Sequence, residues 1–551
     1  MSARTIRRAA LTLLLAAATA CTSSPKPAPA APSSPGAAAQ SAPASGAATT
    51  LRVLAGSELQ DMQPVLDEAK KATGVTVQFT YTGTLDGADT VSSGKADGAY
   101  DALWFPSNRY LRLDQAAGGK LLSETPVMVS PVALGVRSSV LADLHWDPAK
   151  VSWAQVGDAV NQGKLSFGMS DPSRSNSGLS ALIGLASAFS GAQAALTEAD
   201  VAKASPALRT FFSGQKLTSG SSGWLAQAYQ RTAQGGSGQS VGALVNYESV
   251  LLSLNRTLPG DAQLTVLRPT DGVVSADYPL TLLSSAAAPA KDAFNRLSAY
   301  LLREDVQRRI SDTTERRPVV AGVTPGPGLG ADRRPELPFP GSRSVADALL
   351  AAYQNELRRP SRTVYVLDTS GSMEGDRLTS LKQALGILTG ASDTRAVNRF
   401  RDREEVTLMS FADVVKWQRT HQVPATAPEA ELAAINADVQ SLAADGGTAI
   451  YSTLEAAYQE VAKQQAAAKD DRFTSIVLMT DGESNLGASA QDFAAFYKAL
   501  PPSGQAVPVF PILFGEGAKQ QLQGIADTTG GKLFDGTGSL TGVFEEIRGY
   551  Q

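Results

Sequence analysis

Cysteine and histidine are almost missing from this chain. Among 551 residues there is one cysteine, Cys21, and there are two histidines, His145 and His421. A single thiol excludes an internal disulfide, so stability has to come from buried core. Two histidines argue against a His-based catalytic or zinc centre, and each reads as a surface or packing residue. Charge is sparse as well. Charged residues make up 19% and the net charge is −4, which leaves no basic field for nucleic acid. Beyond Ala20 no run is long and apolar enough to cross a bilayer. No internal repeat stands out. The length favours two or more domains.

The front of the chain carries Arg4, Arg7 and Arg8 ahead of the apolar stretch Ala9 to Ala20. That stretch is too short to span a membrane and reads as a secretory signal peptide. Arg7-Arg8 is followed by Ala-Ala-Leu, a poor match to a twin-arginine signal. Ala18-Thr19-Ala20-Cys21 resembles a bacterial lipobox, with Ala18 standing where leucine is usual. The resemblance implies lipidation of Cys21 and anchoring at the extracytoplasmic face of the cell membrane, with residues 1–21 as the lipoprotein signal segment. Residues 22–50 are almost wholly Ala, Pro, Ser and Gly, with Lys26 the one charge. Such a segment cannot bury a core and is expected to be a flexible tether. A second break, residues 322–343, is rich in Pro and Gly and reads as an interdomain linker. Two folded segments remain, 51–321 and 344–551.

The C-terminal segment alternates strands and helices. Val345, Leu349, Leu350 and Tyr353 recur at helical spacing up to Pro360. Strands are expected at Thr363–Leu367, Glu405–Phe411 paired with Val414–Gln418, Ser475–Met479 and Val507–Phe514. Helices are expected at Arg377–Leu388, Glu429–Leu442, Ile450–Gln464, Gln491–Leu500, Lys519–Thr528 and Leu540–Arg548. Arg401-Asp402-Arg403 and Glu404-Glu405 read as a solvated helix or loop end. Three polar clusters sit where apolar strands end or a helix opens: Asp368-Thr369-Ser370-Gly371-Ser372, Asp445-Gly446-Gly447-Thr448 and Thr480-Asp481-Gly482. In an open parallel sheet such loops converge at the carboxyl ends of the strands. Their two carboxylates and three hydroxyls are hard oxygen donors that suit Mg²⁺ or Mn²⁺ and suit zinc poorly.

The order and residue types resemble the metal-ion-dependent adhesion site of von Willebrand factor type A domains. Asp368, Ser370, Ser372, Thr448 and Asp481 fill every slot of that pattern. The resemblance implies a Rossmann-like fold over residues 344–551. It also implies that both serines ligate the metal directly, and that Thr448 and the two aspartates act directly or through water. An acidic residue of a protein partner would complete the coordination. Two carboxylates only balance a divalent cation, which stays electrophilic toward a third.

The N-terminal segment is less explicit. Strands are expected at Leu51–Leu54, Val75–Tyr81, Asp101–Phe105 and Ser130–Val136, with a helix over Met62–Thr73. This order resembles a two-lobed type II periplasmic solute-binding protein. That implies that Ser130–Val136 crosses between lobes, that a return near Leu264–Leu267 brings the chain back, and that Leu297–Arg309 is the closing helix. The Asp171-Pro172-Ser173-Arg174-Ser175-Asn176-Ser177-Gly178 loop would be a ligand loop. Candidate cleft residues are Ser57, Ser107, Ser177, Tyr247 and Tyr278. Ser177 lies where backbone N–H groups open a helix, although Ser175 and Ser177 would equally serve as caps, and Tyr278 as core. Gly235-Gly236-Ser237-Gly238 lacks a following lysine or helix and reads as a surface loop.

The expected protein is a membrane-anchored binding protein and not an enzyme. It would use a magnesium-dependent adhesion site to hold a protein partner, with a small polar solute a further ligand of the cleft. Two alternatives stand beside this. One is the substrate receptor of an ABC importer with the second domain as docking adaptor. The other is a metal-dependent hydrolase, disfavoured because no general base, paired nucleophile or second metal cluster accompanies the site.

Overall fold

The first apolar run becomes the strand Thr49–Ala55, the second strand of a five-stranded sheet. Its order is Val75–Tyr81, Thr49–Ala55, Ala102–Trp104, Pro279–Leu283, Leu121–Pro126, with Pro279–Leu283 antiparallel to both neighbours. The structure, a computed structural model, describes residues 48–330, 333–390, 399–468, 470–515, 518–538 and 540–551. The signal segment, Cys21 and the tether up to residue 47 lie outside the described residues.

From Leu121–Pro126 the chain passes directly into Met128–Arg137, the organising strand of a second sheet. Ser275–Ala276, Ala243–Tyr247, Leu264–Leu267 and Arg317–Pro318 all pair with it, and Phe167–Ser170 and Gln215–Ser219 extend the sheet. Leu264–Leu267 therefore stays in the second lobe, contrary to the expected return there. The return comes one strand later, between Ser275–Ala276 and Pro279–Leu283. Tyr278 takes the turn at φ 41°, a left-handed conformation that a bulky residue adopts only when its surroundings force it. The indole of Trp104 donates to its carbonyl at 3.0 Å. The expected closing helix is instead two, Ala288–Leu301 and Glu304–Thr314, broken at Leu302-Arg303.

The third sheet holds Val415–Gln422, Glu405–Phe411, Ser361–Asp368, Phe473–Thr480, Val509–Leu513 and Phe534–Asp535 in that order. All pair parallel except the Val415–Gln422 edge. Its central strands bury both faces. Tyr365, Leu367, Val477 and Met479 face one core, and Val364, Val366, Ile476 and Leu478 the other. Continuous apolar runs such as Ile476-Val477-Leu478-Met479 are what a doubly covered parallel strand requires. No helix among the described residues is long and apolar enough to cross a membrane.

Between these parts, residues 333–341 run as a strap along the second lobe. Leu337 N–H donates to Val273 O at 2.8 Å, Val273 N–H to Pro335 O at 3.0 Å and Leu196 N–H to Phe339 O at 3.0 Å. The following helix, Arg343–Ala352, sinks Val345, Ala346, Leu349 and Leu350 into the core of the first two sheets, and Tyr353 stacks edge-on against Phe212 at 5.0 Å. Helical periodicity shows that a face is buried but not which partner covers it.

The second lobe packs directly on the third sheet's domain. The Trp224 and Tyr550 rings meet edge-on at 4.9 Å. At Gly549 a Cβ would fall 2.7 Å from the Cα of Gly220, so the two backbones touch where only glycine fits. Arg401, Glu404 and Glu405 correct the reading of a solvated charge run, since all three are buried. Arg401 pairs with Asp171 of the second lobe at 3.0 Å, Glu404 with Arg548 at 2.7 Å and Glu405 with Arg362 at 2.6 Å. His421 is buried, with Glu431 at 2.7 Å and Asp438 at 3.0 Å from its ring nitrogens.

Candidate metal centre and solute cleft

Strand Ser361–Asp368 pairs with Glu405–Phe411 on one side and Phe473–Thr480 on the other. The chain thus leaves it in opposite directions, and the crevice at that switch point opens at the carboxyl ends of both central strands. Asp368 is the last residue of the first, and Asp481 follows the last residue of the second. Backbone bonds draw the third loop in: Gly371 N–H donates to Gly446 O and Asp445 N–H to Thr369 O, both at 2.9 Å.

Within this crevice Asp368 Oδ1 accepts from Ser370 N at 2.8 Å, and its Oδ2 accepts from Thr480 Oγ1 at 2.6 Å. The Ser370 and Ser372 hydroxyls are 3.1 Å apart, and Ser372 Oγ donates to Asp481 Oδ1 at 2.8 Å. Four of the five expected ligands are therefore joined in one chain of contacts. The fifth, Thr448, lies two residues past Gly446 of the loop drawn in, with its amide donating to Asn485 Oδ1 at 2.9 Å and its carbonyl accepting from Asn485 N at 2.9 Å. Burial pushes the Asp368 carboxyl above its ordinary range and the Asp481 charge adds to this, while donation from Thr480 and Ser370 opposes both.

The donor set fits a hard divalent cation, and a second observation agrees. The guanidinium of Arg377 pairs with Asp481 and donates to Ser372 O at 3.2 Å. A positive group thus already lies where two buried carboxylates call for one. Among the described residues no three His, Cys, Asp or Glu side chains gather as a metal site. From sequence, Thr480 is only a member of its cluster, without a role of its own, and Arg377 only the start of a helix. Thr480 immediately precedes a motif residue and could have been found, whereas nothing marks Arg377 among other arginines.

Arg377 also makes a prediction. Its side chain is 49% exposed on a flexible stem, so an incoming cation displaces it and loses the energy of that ion pair. Half-exposed pairs are worth about 1 kcal/mol or less. Arg377→Ala is expected to tighten Mg²⁺ binding by roughly threefold to fivefold in a calorimetric titration. Weaker binding in the variant would show that the arginine supports the site instead of competing for it.

A second site lies between the first two sheets, where a polar cavity of ≈ 410 Å³ opens. Ser57 and Glu58 line it from one lobe, with Thr84 and Asp86; Arg174, Ser175, Asn176 and Ser222 line it from the other. Of the five sequence candidates Ser57 alone reaches the cavity wall. Ser177 sits just behind, bonded through its hydroxyl to Ser170 at 2.8 Å and Ser222 at 2.7 Å. Tyr247 is buried and accepts from Asn176 Nδ2 at 2.7 Å. Tyr278 is buried beneath the Arg316 guanidinium at 4.8 Å. Ser107 is placed elsewhere: it is buried and its hydroxyl accepts from Arg109 N at 3.3 Å. Arg174, inside the expected ligand loop, pairs with Asp86 across the cleft at 3.1 Å. Burial raises the Glu58 carboxyl above its ordinary range.

Comparison with known proteins divides the chain the same way. Residues 51–313 match the bacterial extracellular solute-binding protein family, and residues 364–540 match the von Willebrand factor type A domain family. An uncharacterized protein of Synechocystis is 33% identical over 137 residues, 25% of this chain and 28% of that relative, so the match spans little more than a quarter of the relative's length. Among solved structures, the periplasmic binding protein AfuA of Actinobacillus pleuropneumoniae is 14% identical, covering 56% of this chain and 98% of its own, with a TM-score of 0.43. The apo ferric ion-binding protein A of Pasteurella haemolytica is 12% identical over 55% of this chain and 96% of its own, with a TM-score of 0.44. The sulfate-binding protein SubI of Mycobacterium tuberculosis is 17% identical over 54% and 98%, with a TM-score of 0.39.

Proposed function

We propose that this chain, whose segments match a solute-binding protein family and the von Willebrand factor type A domain family, is an extracytoplasmic binding protein that holds a protein partner through a divalent cation at Asp368, Ser370, Ser372, Thr448 and Asp481. The observation that carries this reading is the contact chain from Thr480 through Asp368, Ser370 and Ser372 to Asp481, capped by the Arg377 guanidinium. Ser370 and Ser372 present hydroxyl oxygens, and Asp368 and Asp481 are fixed by hydrogen bonds before any ion arrives. A bound Mg²⁺ or Mn²⁺ would offer an open coordination position to an acidic side chain of the partner. No turnover is required of the site. Capture of a partner from envelope extract, lost on adding a chelator and regained with Mg²⁺, is the test. Capture that ignores the chelator would remove the metal from the mechanism.

The inter-lobe cavity favours a second reading, in which the first domain receives a small polar solute for an ABC importer and the second domain is a docking adaptor. Both readings share an anchor at Cys21. Cys21→Ser is expected to move the protein from the membrane fraction to the soluble fraction with its melting curve unchanged. A variant that stays in the membrane pellet would refute lipid attachment at this residue.

A further inference from the structure

The inter-lobe cavity has a third wall that does not come from the solute-binding domain. Lys532, Gly542 and Glu546, all from the C-terminal domain, line it opposite the two lobes. We propose that the von Willebrand domain completes the solute site, and that Lys532 from it and Arg174 from the second lobe together hold a small solute bearing an anionic group. This rests on the solute-binding reading and adds to it where one cation comes from and what charge the solute carries.

The anionic class follows from the second-lobe corner of the cavity. Helix Asn176–Ser190 begins there, and its N-cap Ser175 makes no capping bond from its side chain. Its hydroxyl turns instead to Ser177 at 3.0 Å. Ser175 and Asn176, at the start of this 15-residue helix, line the cavity, so the positive end of the helix dipole lies at its wall. Helix Ser222–Ala233 starts at the same corner, since Ser222 lines the cavity and its hydroxyl lies 2.7 Å from that of Ser177. Arg174 adds a full charge, its stem held against Gly549 of the other domain. Lys532 is positioned by Glu546 at 2.6 Å and Tyr550 Oη at 3.1 Å, with its ammonium over the Phe534 ring at 4.7 Å.

Glu58, Asp86 and Glu546 also face the cavity. Asp86 and Glu546 each neutralise one of the two cations, so a solute anion takes over partners already charged and placed. Glu58 on the first-lobe wall accepts from hydroxyl or ammonium groups at the solute's other end. Hydroxy acids, sugar phosphates and amino acids share this chemistry.

The site is also coupled to the domain interface. One loop supplies Arg174, Ser175 and Asn176 to the cavity and Asp171 to the buried pair with Arg401. Removing the von Willebrand domain from the second lobe would therefore open the cavity and release the loop together.

The test titrates the full-length protein with a panel of hydroxy acids, sugar phosphates, amino acids and inorganic phosphate, with neutral sugars as the control. The readouts are thermal shift and calorimetry. At least one anion-bearing compound is expected to bind. Lys532→Gln should weaken it by about tenfold at an unchanged melting temperature, while Glu546→Gln, which frees the same lysine, should strengthen it. Equal affinity in wild type and Lys532→Gln, or weaker binding in Glu546→Gln, would overturn the third wall and leave the solute-binding reading standing. Binding of neutral sugars alone would overturn the anionic class. No binding by any compound would remove the solute-binding reading and this inference with it.

Discussion

Titration of the Asp368→Ala protein with Mg²⁺ or Mn²⁺ is expected to give no binding heat, and partner capture is expected to disappear with it. Asp368 ends the central strand and stands between the two serines and Thr480. It carries one of the two carboxylates of the set. Without it Asp481 alone faces a doubly charged ion, and Asp481 is already engaged by Ser372 and Arg377. The hydroxyls of Ser370, Ser372 and Thr448 cannot replace the lost charge, because Mg²⁺ gives up its waters reluctantly. The domain should stay folded. Two hydrogen bonds to Asp368 are lost, each worth about 1 kcal/mol. Against that, a buried carboxylate beside the Asp481 charge is removed, which relieves both its desolvation and the like-charge repulsion. The two effects oppose each other, so the melting temperature in chelator should move by a few degrees at most. Wild-type metal affinity in a folded Asp368→Ala protein would refute the site.

This centre was legible because each of its parts is short and local. An apolar run marks a central strand, and the polar residues after it mark the crevice, so convergence follows from parallel topology alone. The parts that were not legible depend on partners far along the chain. Arg401 to Glu405 reads as solvated because a run of mixed charges needs no distant partner, yet Glu404 meets Arg548, 144 residues later, and Arg401 meets Asp171, 230 residues earlier. The helix Arg343–Ala352 shows its apolar stripe plainly, but no periodicity says that the stripe covers the first domain. Leu264–Leu267 has the composition of a crossing strand, and the true crossing at Tyr278 is signalled only by backbone geometry. In the cleft, hydroxyl-bearing residues at strand ends drew attention to Tyr247 and Tyr278, whose rings are buried and do not line the cavity. Lys532 had no signal, because its role depends on how one domain docks on another.

Glu404→Ala is expected to be among the most destabilising single substitutions in the chain. Arg548 is buried, and Glu404 receives its Nη2 at 2.7 and 2.9 Å. Glu404 also accepts from Ser361 Oγ at 2.8 Å and from Arg401 N at 2.9 Å, so one side chain satisfies an arginine, a hydroxyl and a backbone amide at once. Removing it leaves a guanidinium inside protein with Gln551 Oε1 at 2.7 Å and the Arg399 carbonyl at 3.3 Å, neither of which carries charge. Breaking a buried pair from one side costs about 3–5 kcal/mol, because the surviving charge keeps its desolvation penalty. For a domain of this size that is roughly a 10 °C fall in melting temperature. The same reasoning predicts recovery. Glu404→Leu combined with Arg548→Met removes both charges and keeps apolar volume, and should recover most of the loss. A double-mutant cycle by chemical denaturation measures the coupling between the two residues. Additive effects of the single substitutions would mean that the pair is not coupled and that Glu404 acts through Ser361 and the Arg401 amide alone.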